Sequence, residues 1–261
     1  MSTLRVGLVQ MEITDGQARD NLDRAVALIR GAPQADLYLL PELWSTGYAY
    51  ATWRSSAETE TPALCEALQR LSAERDARIA GSMISFDEEG RLTNRLWLFA
   101  PDGRSPATYD KGHLFSPLQE DRYLVAGTRR VRVAIDGWAA ALSICFDLRF
   151  PEMYRRDALE GANLFLVVAQ WPAVRASALR VLARARAIEN HAFLALCNRP
   201  GVAADGLAFG GGSALFAPDG SVVADAGAGE RVIVGTLDDQ VAVAARNLVP
   251  VLDLRRAGLD W

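Results

Sequence analysis

The stretch VRVAIDGWAAALSICFDLRFPE, residues 131–152, holds the change of structure that decides the fold class. VRVAI (131–135) and WAAALSIC (138–145) are short β-prone runs on either side of Asp136-Gly137, a dipeptide favoured in two-residue hairpins because both turn residues take positive φ. The second run is apolar almost throughout, as a strand covered on both faces is. Pro151 then presets φ for the first turn of a helix. An antiparallel hairpin whose second strand runs toward a helix points to a layered α/β protein containing antiparallel pairs, because a purely parallel sheet would show fewer hairpin signals.

Working outward, the same alternation continues. LRVGLVQ (4–10) reads as a strand, and residues 17–30 as a helix with Leu22, Val26 and Ile29 on one face and Gly31 as its stop. ADLYLLPE (35–42) reads as a buried strand that runs into a loop at Pro41. TPALCEALQRLSAERDA (61–77) reads as a helix with Thr61 as cap, Pro62 in the first turn, and Leu64, Leu68 and Leu71 on one face. IAGSMISF (79–86) and RLWLFAPDG (95–103) follow as strands, the second closing in a Pro-Asp-Gly turn. NLFLVVAQ (163–170) and FLALCN (193–198) are buried strands flanking the helix SALRVLARARAIEN (177–190). The last third, with GGSALFAPDG, SVVADA and ERVIVGTL, is β-rich. No linker, repeat or low-complexity tract interrupts residues 1–261, so a single domain is expected.

Composition narrows the function classes. The 261 residues are 50% hydrophobic and 23% charged, which is ordinary for a globular chain and far from a disordered one. With 28 basic and 32 acidic residues the formal charge is −4, and no basic stripe is present, which argues against a nucleic-acid partner. The start, MSTLRVGLVQMEITDG, lacks the features of a signal peptide, and no apolar run reaches the roughly 18–20 residues of a membrane helix, so no membrane partner is expected. The three cysteines, Cys65, Cys145 and Cys197, are odd in number and widely spaced, which argues for a reducing, cytoplasmic compartment over a disulfide scaffold. His113 and His191 lack metal-ligand spacing, so neither a metal nor another cofactor is expected. The triple glycine at 210–212 lacks the features of a phosphate loop.

Three segments depart from core patterning. Pro41-Glu42-Leu43 puts a carboxylate directly after an apolar strand. Tyr109-Asp110-Lys111-Gly112-His113-Leu114-Phe115 puts a lysine between a strand and a loop. Ser143 to Glu152 puts the Cys145 thiol at a strand end shortly before a helix, a turn that exposes a nucleophile and aims backbone N–H groups at a developing oxyanion. A neighbouring lysine is expected to lower the thiol pKa from about 8.5, and a carboxylate to accept its proton. Cys65 and Cys197 read as packing residues. Asp147 and Arg149 can pair with each other or with backbone around the turn. Arg180, Arg184 and Arg186 read as a helix face with Glu189 and Asp157 as available partners.

PELW (41–44), YDKGHLF (109–115) and CFDLRFPE (145–152) resemble, in that order, the three signature segments of the nitrilase, or carbon–nitrogen hydrolase, superfamily. RARAIEN (184–190), Asp205-Gly206 through Ser213, and Pro218-Asp219-Gly220 extend the likeness over nearly the whole chain. The resemblance implies a four-layer α-β-β-α sandwich with two mixed β-sheets. It implies Glu42 as general base, Lys111 as stabiliser of the oxyanion and Cys145 as nucleophile, with Glu120 as a second glutamate that orients the lysine and binds the substrate amide. The Phe146 N–H is the implied second oxyanion donor. CFDLRFPE, KGHLF and AQWP (169–172) look most like the ω-amidase branch, which hydrolyses terminal amides of small dicarboxylate monoamides such as 2-oxoglutaramate and succinamate. Arg149, Tyr48 and His113 are then candidates for holding the substrate, with Trp171 as an apolar wall. Other branches, the N-carbamoyl amide hydrolases and nitrilases, and a non-catalytic binding protein would share the fold. Family members pair through helices, so a homodimer is expected, with the tail 247–261 a candidate for its interface.

Overall fold

The Asp136-Gly137 turn forms as expected, with φ of +47° and +90°, and pairs Ile135 with Trp138. The computed structural model describes residues 2–256. In chain order its main elements are β1 (Thr3–Gln10), α1 (Ala18–Gly31), β2 (Leu37–Leu39), α2 (Trp53–Ser55), α3 (Thr61–Arg75), β3 (Arg78–Phe86), β4 (Leu92–Phe99) and β5 (Ala107–Asp110). There follow α4 (Glu120–Tyr123), β6 (Arg132–Ile135), β7 (Trp138–Ile144), α5 (Pro151–Leu159), β8 (Leu164–Ala169), α6 (Ala176–Asn190) and β9 (Phe193–Asn198). The chain continues through β10 (Pro200–Val202), β11 (Ala208–Gly210), β12 (Ala214–Phe216), β13 (Val222–Asp225), β14 (Arg231–Asp238) and α7 (Asp239–Leu248).

Twelve of the strands form two six-stranded sheets, ordered β14-β1-β2-β3-β4-β5 and β13-β12-β9-β8-β7-β6. Each is mixed. β1, β2 and β3 are parallel in the first and β7, β8 and β9 in the second, and antiparallel strands complete both edges. The parallel centre explains why NLFLVVAQ reads as a continuous apolar run: β8 is buried along its whole length, covered on both faces.

The sheets pack face to face. Leu4, Val6, Leu8, Leu37 and Leu39 of one share a buried cluster with Leu142, Ile144, Leu166, Val168 and Leu196 of the other. Cys197 bridges them, its Sγ 3.1 Å from the Leu39 carbonyl and 3.4 Å from that of Val9. On the outer face of the first sheet, Ala25 and Ile29 of α1 and Leu64, Leu68 and Leu71 of α3 pack against Val9, Tyr38, Ile79 and Met83. On the second, Met153 and Ala158 of α5 and Leu179, Ala183 and Ala187 of α6 complete the layer. The result is the four-layer α-β-β-α sandwich. β2, β7, β8 and β9 deliver their carboxyl ends to one edge of it, the end where sheets of this kind bind ligands.

Some expectations change. Thr61 is no cap: α2, a π-helical turn over Ser56–Glu60 and α3 form one helical run, and the Thr61 hydroxyl donates to the Ile84 carbonyl at 2.8 Å. The widened turn accommodates the N–H that Pro62 lacks. Gly31 is the last residue of α1 and not a stop beyond it. Asp157 pairs with Arg130 and not with α6; Arg186 pairs with Glu189, and Arg180 with Asp225. Of the tail, residues 247–248 close α7, Leu252 packs against the main core, and residues 257–261 lie outside the described residues.

Candidate active site

Glu42 follows β2 at the sandwich edge and is fully buried. The backbone turns sharply after it: Leu43 has φ +42°, uncommon for a branched side chain, and its N–H donates to Ser82 Oγ at 2.8 Å. Lys111 leaves β5 with its N–H on the Asn94 carbonyl (2.9 Å) and its own carbonyl on the Gly127 N–H (2.8 Å). Glu120 opens α4 after Gln119, which is left-handed at φ +54°.

These three meet inside the protein. Lys111 Nζ donates to Glu42 Oε1 and to Glu120 Oε1, each at 2.7 Å, with all three side chains inaccessible to solvent. Glu42 Oε1 also accepts from Asn94 Nδ2, and Oε2 from the Gln170 N–H, both at 2.9 Å. Glu120 Oε1 accepts from the Tyr48 hydroxyl at 2.9 Å and Oε2 from the Phe115 N–H at 2.7 Å. A buried charge set persists only when its lone pairs and protons are matched in this way.

Cys145 completes the group. It follows β7 directly, with φ +46°, and begins a 3-10 turn, Cys145–Arg149, that leads into α5. Asp147 brackets the turn. Its Oδ2 accepts from the Ile144 N–H (2.9 Å) and the Tyr109 hydroxyl (2.7 Å), and its Oδ1 from the His113 N–H (2.9 Å). The Cys145 thiol is directed at the Gln170 carbonyl at 3.9 Å and interacts with the Glu42 carboxylate.

The electrostatics correct one expectation. Burial and the Glu42 charge push the Cys145 thiol well above its ordinary value, and Lys111 only partly offsets them. Burial raises Glu42 too, with Lys111 opposing and Glu120 adding to the rise. For Lys111 burial disfavours the ammonium, but Glu120 and Glu42 outweigh it and the pKa ends above the usual lysine value. The lysine is thus held as a cation, and its charge is spent on two carboxylates instead of generating a standing thiolate.

A narrow cleft leads to the thiol, lined by Phe115, Cys145, Phe146, Arg149, Gln170, Trp171, Pro172 and Arg175. Arg149 lies over the Trp171 ring at 5.1 Å and Arg175 over Phe115 at 5.6 Å. Trp171 is fixed by its ring N–H on the Arg175 carbonyl, 3.0 Å. Tyr48 touches Glu120 and is not a cleft wall. His113 is turned away: its ring stacks on Phe150 at 3.6 Å, its Nδ1 is 2.8 Å from Asp147 Oδ1, and it lines a separate cleft with Arg129 and Arg156. Arg149 and Asp147 do not pair. Among the described residues no group of three or more His, Cys, Asp or Glu side chains could hold a metal ion.

The structure adds Asn94, Gln170, Arg175 and Arg199 to the neighbourhood. Gln170 carried a legible signal, a polar residue at the end of an apolar strand, as Glu42 does. Asn94 and Arg175 carried none, because partners brought together by pairing and by loop packing select them.

A family model described as carbon–nitrogen hydrolase matches residues 5–247. The chain is 31% identical over 249 residues to a 2-oxoglutaramate amidase of Bacillus subtilis, covering 95% of this chain and 96% of that one. It is 37% identical over 231 residues to the omega-amidase YafV of Yersinia enterocolitica, 88% of each chain. A solved carbon–nitrogen-hydrolase superfamily protein of Xanthomonas campestris, carrying an arsenic adduct in its active site, superposes with a TM-score of 0.92 at 32% identity, covering 98% of each chain.

Proposed function

The chain belongs to the carbon–nitrogen hydrolase family, and from that premise we propose that it is an amidase of the ω-amidase kind, acting through a cysteine thioester on the terminal amide of small carboxylate-bearing amides. The observation that carries the reading is the buried Lys111 shared by Glu42 and Glu120 next to the Cys145 thiol. Burial raises both Cys145 and Glu42, so the thiol holds its proton at rest and Glu42 is a better proton acceptor than an exposed carboxylate. As Sγ attacks the amide carbon, the thiol proton passes to Glu42, and the carbonyl oxygen becomes an oxyanion facing Lys111 Nζ and the Phe146 N–H. Collapse of the tetrahedral species breaks the C–N bond, and Glu42 returns its proton to leaving ammonia. Water, deprotonated by the same carboxylate, then attacks the thioester, and Sγ leaves as the thiol. Glu120 fixes the lysine, and Tyr48 and the Phe115 N–H fix Glu120.

The cleft supports a substrate with a distal carboxylate. Arg149 and Arg175 flank it, and among the described residues neither forms an ion pair; each rests only on an aromatic face. Two guanidinium groups on one small cleft are suited to holding a carboxylate. Ammonia release with 2-oxoglutaramate, succinamate, N-carbamoyl-β-alanine and an aliphatic nitrile tests the branch. Preference for the first two supports the ω-amidase reading, and turnover confined to the carbamoyl compound or the nitrile overturns it. A Cys145→Ala variant that folds and still releases ammonia overturns the mechanism.

The 1–261 chain is read as a single catalytic domain. It is read as a cytoplasmic homodimer, supported by the three unpaired cysteines and by Leu159, Val181 and Ile188, which expose apolar surface on α5 and α6. Among the described residues no helix is long and apolar enough to cross a membrane.

A further inference from the structure

Arg199 is a fully buried arginine to which the reaction scheme assigns no task. It follows β9, and its guanidinium donates to two other segments, the loop after β1 and the end of β8. Nη2 donates to the Ile13 carbonyl at 2.6 Å, and Nη1 donates to Asp15 Oδ1 at 3.0 Å and to Gln170 Oε1 at 2.7 Å. The group lies 4.7 Å over the Phe209 ring, and its Nε has no acceptor. Burying this charge is costly, and apolar residues of similar size commonly stabilise a fold as well as a buried pair does. Asp15 is itself held, its Oδ2 accepting the Ala204 N–H at 2.8 Å. It occupies the space that a side chain at Gly47 would need, with Oδ1 only 1.9 Å from the position of a Cβ there.

The residue this assembly acts on is Gln170. A guanidinium has donors and no acceptor, so it fixes which end of the Gln170 amide faces it. Oε1 must point to Arg199, and Nε2 then points to the Glu42 carbonyl, where it donates at 2.7 Å. The Gln170 backbone N–H holds Glu42 Oε2, and its carbonyl faces the Cys145 thiol. Gln170 therefore touches both partners of the proton transfer, whereas Arg199 and Asp15 touch neither.

We propose that the buried Arg199–Asp15 pair is a positioning device for the proton transfer between Cys145 and Glu42, acting through the orientation of Gln170. The inference deepens the amidase reading and rests on it for the meaning of that transfer. Glu42 is also faced by Lys111, Asn94, Glu120 and Tyr48, none of which hydrogen-bonds the Arg199 guanidinium.

Two variants test it, Arg199→Lys and the double variant Arg199→Met/Asp15→Leu, the second removing both charges so that neither is left buried alone. Both are checked for folding by thermal melting. Each is then assayed for kcat and KM, and for the pH dependence of Cys145 alkylation by iodoacetamide, which needs no turnover. The proposal expects kcat to fall by about tenfold to a hundredfold with a smaller change in KM, the size of effect a displaced reacting group produces. It also expects the alkylation profile to shift away from that of the wild type, because moving the Gln170 N–H and carbonyl changes how Glu42 and Cys145 share the proton. A folded variant with the wild-type kcat and alkylation profile overturns it, as does a lowered melting temperature with that profile unchanged. If the wild-type protein turns over no amide, the amidase reading fails, while the alkylation profile still decides the role of Arg199.

Discussion

At the scale of single residues, Cys145 differs from the other two cysteines by its neighbours: Cys197 is buried as it is, and Cys65 is half-buried. Burial pushes the Cys65 thiol up to about 12, and Cys197 is raised further by the same cause. Cys145 is raised as well, yet it alone has a carboxylate to receive its proton. Brief treatment with iodoacetamide near pH 8 is therefore expected to label Cys145 and spare Cys65 and Cys197, read by peptide mass spectrometry; equal labelling of Cys65 contradicts this. Tyr48→Phe removes one neutral donor from Glu120 and leaves Lys111 and the Phe115 N–H in place. A hydrogen bond to a charged group contributes about 1.5–3 kcal/mol, so kcat/KM is expected to fall at least roughly tenfold with the fold intact. Arg149→Ala and Arg175→Ala are expected to raise KM for succinamate while leaving a neutral amide such as propionamide little affected. Equal loss on both substrates would show that the arginines shape the cleft and do not hold the carboxylate.

At the scale of elements, the site depends on how loops leave their strands. Gly127 lies against the start of the lysine loop, and a Cβ there would sit 2.2 Å from the Asp110 carbonyl oxygen. Since backbone must move to admit it, Gly127→Ala is expected to cost about 1–3 kcal/mol, the range for overpacking, and to displace Lys111. A thermal melt and a kcat measurement check this, and normal values for both would show that the loop yields freely. β1 and β2 are joined by Asp36, which accepts from the Arg5 N–H at 2.8 Å and pairs with its guanidinium at 2.6 Å. Burial raises the Asp36 carboxyl, but the Arg5 hydrogen bonds and charge outweigh it, so its folded pKa lies below its ordinary value. The stabilisation is present above the unfolded pKa near 4 and is lost as pH falls through the lower folded one. Asp36→Asn is expected to cost well under 1 kcal/mol at pH 7, since the pair is partly exposed, and the difference from wild type should vanish in acid denaturation below about pH 3.

At the scale of the whole molecule, the exposed apolar residues of α5 and α6 are expected to be covered by a second copy. Light scattering at micromolar concentration should give twice the chain mass of 28.3 kDa, and Val181→Asp/Ile188→Asp should give the monomer; a wild-type monomer sinks the homodimer. Much of the architecture was legible along the chain, because a strand buried on both faces must be apolar throughout and a hairpin must spend two residues on its turn. NLFLVVAQ and Asp136-Gly137 met those demands before any partner was known. Glu42, Lys111 and Cys145 stood out because each interrupts such a pattern at a strand end, and the likeness of three ordered segments gave them roles. What the sequence could not disclose was which groups share a dry interior. The raised thiol, the lysine committed to two carboxylates, the turn of His113 toward Asp147 and the path from Arg199 through Gln170 to Glu42 arise from contacts between residues up to 128 positions apart. Local propensity acts over a few residues, whereas desolvation and hydrogen bonding depend on distance in space, so only the packing of the two sheets decided them.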